Sequence, residues 1–275
     1  MATTAIVFLF GLCIGSFLNV CIHRLPLGQS VVRPRSRCPK CSNPIAAYDN
    51  IPVLSYVLLG GRCRHCRTRI SPQYPLVELL TGLVWALAYV SFDLTLAGLK
   101  AALLASAMIV LVFTDLHHRT LPDTVTLPGI GVGLLFAIGL PIEDNTATLL
   151  WRWVTGGFPP TVAASVVNAL LGAAIGAGIL YGLGELWFRL RKVEAMGLGD
   201  VKMMAMVGMF LGPKLATLTL LLGSLAGSLL GSLFILLARK DAKYELPFGS
   251  FLGAAAIAAL FWGEPLIDLY TSLFP

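Results

Sequence analysis

Charge is what this chain has least of. Only 12% of its 275 residues are Asp, Glu, Lys or Arg, while 57% are hydrophobic. Soluble globular domains carry about a quarter charged residues, so that class is excluded. Also missing is any basic stretch ahead of the first apolar run, and no clear small-residue cleavage site follows it, so the run is expected to persist as a helix rather than leave as a secretory signal. Gly197-Leu198-Gly199 has no preceding strand and no longer glycine pattern, which excludes a phosphate loop. No convincing internal repeat is present, which argues against repeat-built transporters.

What remains is membrane-soluble sequence. A transmembrane helix needs about 20 apolar residues, and candidate runs fall at 5–20, 76–92, 94–114, 125–140, 162–188, 201–211, 215–238 and 248–261, the sixth being short. The expected fold is an all-α polytopic membrane protein of about eight transmembrane helices with a small zinc-stapled cytoplasmic loop. Most of the 28 glycines lie in these runs, where small residues let helix backbones approach. If residues 23–75 are cytoplasmic, 17 of the 20 Lys and Arg fall inside, and Lys100, Arg152 and Lys214 alone fall outside. Basic residues accumulate on cytoplasmic loops, so the amino terminus is expected outside, and the net charge of +6 reflects topology rather than nucleic-acid binding. Trp151 and Trp153, in the external connection 141–160, suit an interfacial aromatic belt.

The one large polar loop carries Cys38-Pro39-Lys40-Cys41 and Cys63-Arg64-His65-Cys66, two C-x2-C pairs 21 residues apart. Two such knuckles close a tetrahedral four-sulfur shell around one zinc ion. Disulfides do not suit a cytoplasmic loop, and a redox pair does not need duplication. Four thiolates leave no open position, so the metal is expected to organise the loop, too small to bury a robust core alone. His65 is read as solvated, Cys13 and Cys21 as packing residues, and Asp49 as a turn residue. Pro44, Pro52, Pro72 and Pro75 argue against long helices in this loop.

Two aspartates border apolar runs: Asp115 ends the third and Asp200 begins the sixth. Carboxylates beside hydrocarbon are costly and usually face the bundle interior. The topology, fixed by Lys and Arg, puts both on the cytoplasmic face. Two carboxylates within hydrogen-bond reach cannot easily both ionise; sharing one proton, they can act as base and acid toward water and a carbonyl.

The motifs Asp115-x6-Pro122 and Gly197-x-Gly199-Asp200-x-Lys202 resemble those of the bifunctional type IV prepilin peptidases, a family of GxGD aspartic proteases. The likeness extends to Gly15-Ser16-Phe17-Leu18-Asn19-Val20 with Arg24-Leu25-Pro26, the cysteine tetrad, Tyr74-Pro75-Leu76-Val77-Glu78 and Pro247-Phe248-Gly249-Ser250-Phe251. It implies that Asp115 and Asp200 are the catalytic pair, supported by Gly197, Gly199 and Lys202. It implies removal of a basic leader after a glycine from prepilins and pseudopilins in a bacterial inner membrane. It further implies methylation of the new terminal amine by S-adenosylmethionine. Glu78 is a candidate for the methyl-transfer site, beside its reading as an interfacial carboxylate.

The domains expected are a first helix at 1–22, the zinc loop at 23–75 linked to methyl transfer, and a peptidase core at 76–275. Among neighbours, Asp123 is read as a helix N-cap, His117 and His118 as interfacial, Asn19 as bonding a neighbouring helix, and Lys202 as a headgroup anchor or a contact to the dyad. Two other classes stay open: an ion-coupled transporter with an aspartate proton relay, and a non-catalytic zinc scaffold.

Overall fold

Apolar length decides where this chain is helical. In hydrocarbon every backbone N–H and C=O must be satisfied within its own segment, and the computed structural model is accordingly built from helices. It describes residues 1–142, 144–193, 196–237 and 246–273, without the side chains of 234 and 235. The basic residues Arg239, Lys240 and Lys243 and the end of run 215–238 lie outside the described residues. Six described helices are long and apolar enough to cross a membrane, and Asp123–Gly139 is a shorter apolar one. No β-strand occurs among the described residues; two isolated bridges do. The chain forms two compact units, Met1–Val110 and Leu111–Pro275.

In the first unit, helix α1 (Ala2–Arg24) lies against α3 (Gln73–Phe92). Their approach is set by small residues one turn apart: a methyl on Gly11 would meet Gly82 Cα at 2.9 Å, and one on Gly15 would meet Glu78 Cα at 2.7 Å. Asn19, buried on α1, donates from Nδ2 to the Tyr74 carbonyl at 3.0 Å, as its helix-bonding reading expects. Between the two helices the proline-rich loop holds only short turns and the five-residue α2 (Leu54–Leu58). The unit also contains most of α4 (Leu96–His118), whose Ser106 hydroxyl accepts the Trp85 indole N–H at 3.0 Å.

In the second unit, α5 (Asp123–Gly139) and α7 (Thr161–Arg191) flank α8 (Leu198–Leu237), followed by α9 (Phe248–Leu273). Forty residues of straight helix would span about 60 Å, twice the hydrocarbon thickness. Instead α8 breaks at Gly212, whose φ of 81° and ψ of 177° are non-helical. Landmarks on α9 show that the chain reverses there. Asp200 and Gly227 both lie at the start of α9, against Gly249 and Phe248 respectively, whereas Leu215 lies against Gly263, fourteen residues farther along α9. The runs read separately at 201–211 and 215–238 are thus the two arms of a helical hairpin. Pro213 opens the second arm, where its missing N–H costs nothing. Asp144 Oδ2 accepts the Lys214 N–H at 3.0 Å, capping that arm.

The connection 141–160 was expected as a loop, but residues Thr146–Thr155 form a helix, α6, closed by Gly156 in the left-handed conformation. Its attachment is polar. Asn168, fully buried on α7, accepts from Ala147 N at 2.8 Å and donates to the Asp144 carbonyl at 2.7 Å. One turn away, Ser165 accepts from Ile142 N at 3.0 Å and donates to the Ala137 carbonyl at 2.7 Å.

The first arm of α8 meets α7 at bare backbone: a methyl on Gly208 would overlap the Gly172 carbonyl, and one on Gly176 would lie 2.8 Å from the Met204 carbonyl. Gly208→Ala or Gly172→Ala is expected to force the helices apart at a cost of about 1–3 kcal/mol. The thermal midpoint of the detergent-solubilised protein should fall by several degrees. Gly178→Ala, where a methyl meets nothing within 4 Å, should leave it level or slightly raised.

Candidate active site and metal centre

Asp115 lies within one turn of the C-terminal end of α4 and is buried, 6% exposed. Its Oδ2 accepts two hydrogen bonds from one residue in the first turn of α9, the Ser250 N–H at 2.7 Å and the Ser250 hydroxyl at 2.9 Å. The same hydroxyl lies 3.1 Å from the Val112 carbonyl. It has a single proton to give, and an ionised carboxylate is the stronger acceptor.

Asp200 stands in the first turn of α8, and the start of α9 brings it to Asp115. A methyl built on Gly249 would lie 2.8 Å from Asp200 Oδ1 and 3.1 Å from Asp115 Oδ2, so both carboxyl groups flank one small volume that only a glycine leaves empty. Among the described residues no hydrogen bond reaches the Asp200 carboxyl group. Leu121 covers this volume, with its Cδ1 3.1 Å from the same point. Leu121 is also what Gly199 accommodates, since a methyl there would meet Leu121 Cβ at 3.0 Å. Gly197 faces space: a methyl would find nothing nearer than 3.9 Å, and Asp200 Oδ2 at 4.0 Å.

Lys202 points away from this pair. Its Nζ donates to Asp123 Oδ1 at 2.8 Å and Oδ2 at 2.7 Å, tying the start of α8 to the start of α5. Asp123 is therefore not the N-cap that was expected. Pro122 occupies the cap position and Asp123 is the first helical residue, its carboxylate drawn to the lysine instead of to backbone N–H groups. Both partners are partly exposed, so the pair is worth about 0–1 kcal/mol. His117 bonds the Phe113 carbonyl of its own helix through Nδ1 at 2.7 Å. Sequence reasoning missed Ser250 and Gly249 as parts of this site. Both stood in the Pro247–Phe251 motif, but only the fold places its glycine between two aspartates.

In the first unit the four loop cysteines converge. Their sulfurs lie within 4.8 Å of one another. Cys38 Sγ and Cys66 Sγ are 3.7 Å apart, far beyond a disulfide bond and close to the ~3.8 Å edge of a tetrahedron with 2.3 Å zinc–sulfur bonds. The two knuckles are built alike. Cys38 N–H bonds the Asn43 carbonyl and Ser42 N–H returns to Cys38; Cys63 N–H bonds the Thr68 carbonyl and Arg67 N–H returns to Cys63. Ser42 and Arg67 take matching positive φ values of 59° and 56°.

Backbone N–H groups aimed at sulfur tune the thiols. The Cys41 N–H lowers Cys38 to about 6, and the Cys66 N–H lowers Cys63. Cys41 receives the Asn43 N–H, yet desolvation and its sulfur neighbours Cys38, Cys66 and Cys63 push it up to about 11. Four sulfurs this close do not all ionise unaided; a divalent cation removes the conflict, and the donor set fits zinc. Beside the knuckles, Asp49 pairs with Arg64 in bidentate fashion, at 2.6 Å for the shortest contact, instead of only stabilising its own turn. The guanidinium holds this carboxyl group below the usual range.

Sequence models of two families match the chain: the bacterial peptidase A24 N-terminal domain over residues 9–92, and the type IV leader peptidase family over residues 101–232. Proteins named prepilin leader peptidase/N-methyltransferase align along almost its whole length. That of Aeromonas salmonicida (strain A449) is 36% identical and that of Aeromonas hydrophila 38%, each over 98% of this chain and 94% of the relative. The chain belongs to this family of leader peptidases. The Pseudomonas aeruginosa relative, with the same name, is 33% identical over 95% of this chain and 91% of its own length. No solved structure matches the chain.

Metal analysis of the purified protein should give one equivalent of zinc. Serine in place of Cys38 or Cys63 should abolish it, whereas Cys13→Ser and Cys21→Ser should retain it. Two disulfides and no metal would contradict the tetrahedral assignment.

Proposed function

We propose that this protein is a membrane aspartic endopeptidase and N-methyltransferase, which removes the leader from type IV prepilins and pseudopilins after a glycine and then methylates the new terminal amine with S-adenosylmethionine. The observation that carries the peptidase reading is the placement of Asp115 and Asp200 around the empty volume at Gly249. Membership of the leader peptidase family supports both activities, and the transporter alternative has no comparable support.

The hydrogen bonds divide the roles. Ser250 gives two donors to Asp115 Oδ2, which stabilise negative charge on that oxygen and favour Asp115 as the ionised partner. Asp200 has no such donors and carries the shared proton. A water between them passes a proton to Asp115 while its oxygen bonds the scissile carbonyl carbon and Asp200 protonates the carbonyl oxygen. The resulting gem-diol then breaks the C–N bond, Asp115 returns its proton to the departing amine, and Asp200 regains its own. Gly197 leaves space beside Asp200 for an extended substrate strand.

Cys38, Cys41, Cys63 and Cys66 would hold one structural zinc ion, which supplies a crosslink for the loop and no reacting position. The distribution of Lys and Arg supports a bacterial inner-membrane topology with the amino terminus outside, and with the zinc loop and both aspartates on the cytoplasmic side.

Asp115→Asn and Asp200→Asn should each reduce cleavage of a membrane-inserted prepilin by at least about a thousandfold, with zinc content intact. Gly249→Val should do the same by filling the shared volume. Ser250→Ala, which keeps the N–H but loses the hydroxyl donor, should lower kcat about tenfold at unchanged KM, the effect of one charge-assisted hydrogen bond. Asp123→Asn should cut at nearly the normal rate. Mass and terminal sequence of the product read each result, and near-normal turnover by either Asp→Asn variant would defeat the assignment.

A further inference from the structure

The first unit holds a buried carboxylate of its own. Glu78, on α3 of the first unit, is 8% exposed and borders a cavity of about 420 Å³, a size suited to a small organic ligand. The membrane-helix side of this cavity includes Ser16, Tyr74 and Glu78, and its outer side includes Val53 and the knuckle residues Cys38 and Cys63. The helices and the cysteine-bearing loop thus enclose it together.

The electrostatics of this chamber are incomplete. Glu78 Oε2 accepts the Val53 N–H at 2.7 Å. No lysine, arginine or histidine among the described residues forms an ion pair with it. The nearby Arg24 guanidinium is turned to the Ser30 and Pro34 carbonyls, and that of Arg64 to Asp49. A carboxylate withdrawn from water and given only neutral donors, the Val53 N–H and the Ser16 hydroxyl, lacks a compensating cation. The first donor is held at a cost: Val53, β-branched, sits at φ 60° and ψ −49°, a conformation that persists where surrounding structure enforces it and that clusters at ligand sites.

We propose that this cavity binds the methyl donor, with Glu78 as counter-ion to its sulfonium and the cysteine knuckles forming the outer wall. The inference rests on the methyltransferase reading above and adds the site. In the transfer, the neutral terminal amine of the peptide attacks the methyl carbon. The N–C bond forms as the C–S bond breaks, the electron pair stays on sulfur to leave a thioether, and the extra proton on nitrogen passes to water. One positive charge moves from sulfur to nitrogen, so a fixed carboxylate beside that path stabilises the charge throughout. After transfer the thioether has no charge for Glu78 to hold, which favours its release. The knuckles bear on methylation through Val53: the loop must be folded for its N–H to reach Glu78.

Calorimetric titration of the full-length, zinc-loaded protein in detergent with S-adenosylmethionine and with S-adenosylhomocysteine tests this directly. The wild type should prefer the sulfonium at least about tenfold. Glu78→Gln keeps an oxygen for the Val53 N–H and should lose that preference by weakening S-adenosylmethionine binding, with S-adenosylhomocysteine affinity and zinc content retained. An unchanged preference in the variant, or equal loss of both ligands, would overturn the counter-ion role. If the wild type methylates cleaved prepilin while the variant binds the donor normally, the pocket assignment falls and the activity stands. If the wild type neither binds the donor nor methylates, the methyltransferase reading falls as well.

Discussion

The hydrogen bonds from Ser250 to Asp115 hold the second unit's chemistry in place. An aspartate at the end of an apolar helix must be solvated by something, and here one residue of α9 supplies both its backbone N–H and its hydroxyl to a single oxygen. That choice has consequences beyond Asp115. It draws the first turn of α9 against the end of α4, it sets Gly249 beside the carboxylate, and it leaves that glycine as the gap that Asp200 faces. In the proposed mechanism Asp200, without donors of its own, is the partner that keeps a proton. A symmetrical pair would have no reason to divide the work of base and acid.

The helical hairpin of α8 makes this arrangement possible. Its first arm carries Asp200 and is drawn close to α7 by glycine backbones; its second arm returns along α9. Reversal needs a residue at φ 81° and a carboxylate oxygen to cap the new helix start, and Gly212 and Asp144 provide them. Asp144 is positioned in turn by Asn168, so a buried amide on α7 helps to fix the turn from which both arms depart.

The first unit solves a different problem. A loop with seven prolines and no apolar core of its own gains order from four converging sulfurs, and the fold of that loop in turn delivers one backbone N–H to a carboxylate on a membrane helix. The cysteine cluster and the buried carboxylate are thus linked through the fold of one loop.

Much of this was determined by the sequence itself. Apolar length fixed the helical segments, because hydrocarbon leaves backbone groups no other partner. The two C-x2-C pairs marked out the four-cysteine cluster, because knuckle geometry is local. The aspartates stood out because charge beside hydrocarbon is rare. What the sequence could not decide depended on contacts between distant residues. Lys202 reaches Asp123 across 79 positions rather than the aspartate pair, and Asp123 answers the lysine instead of capping its helix. Residues 146–155 are helical because Asn168 and Ser165 anchor their approach, not because of a strong apolar run. Ser250 lies 135 positions from Asp115, and no periodicity links a hydroxyl in one helix to a carboxylate in another. Hydrophobic burial can be read from local composition; the donor that a buried charge will find is settled only when the helices have packed.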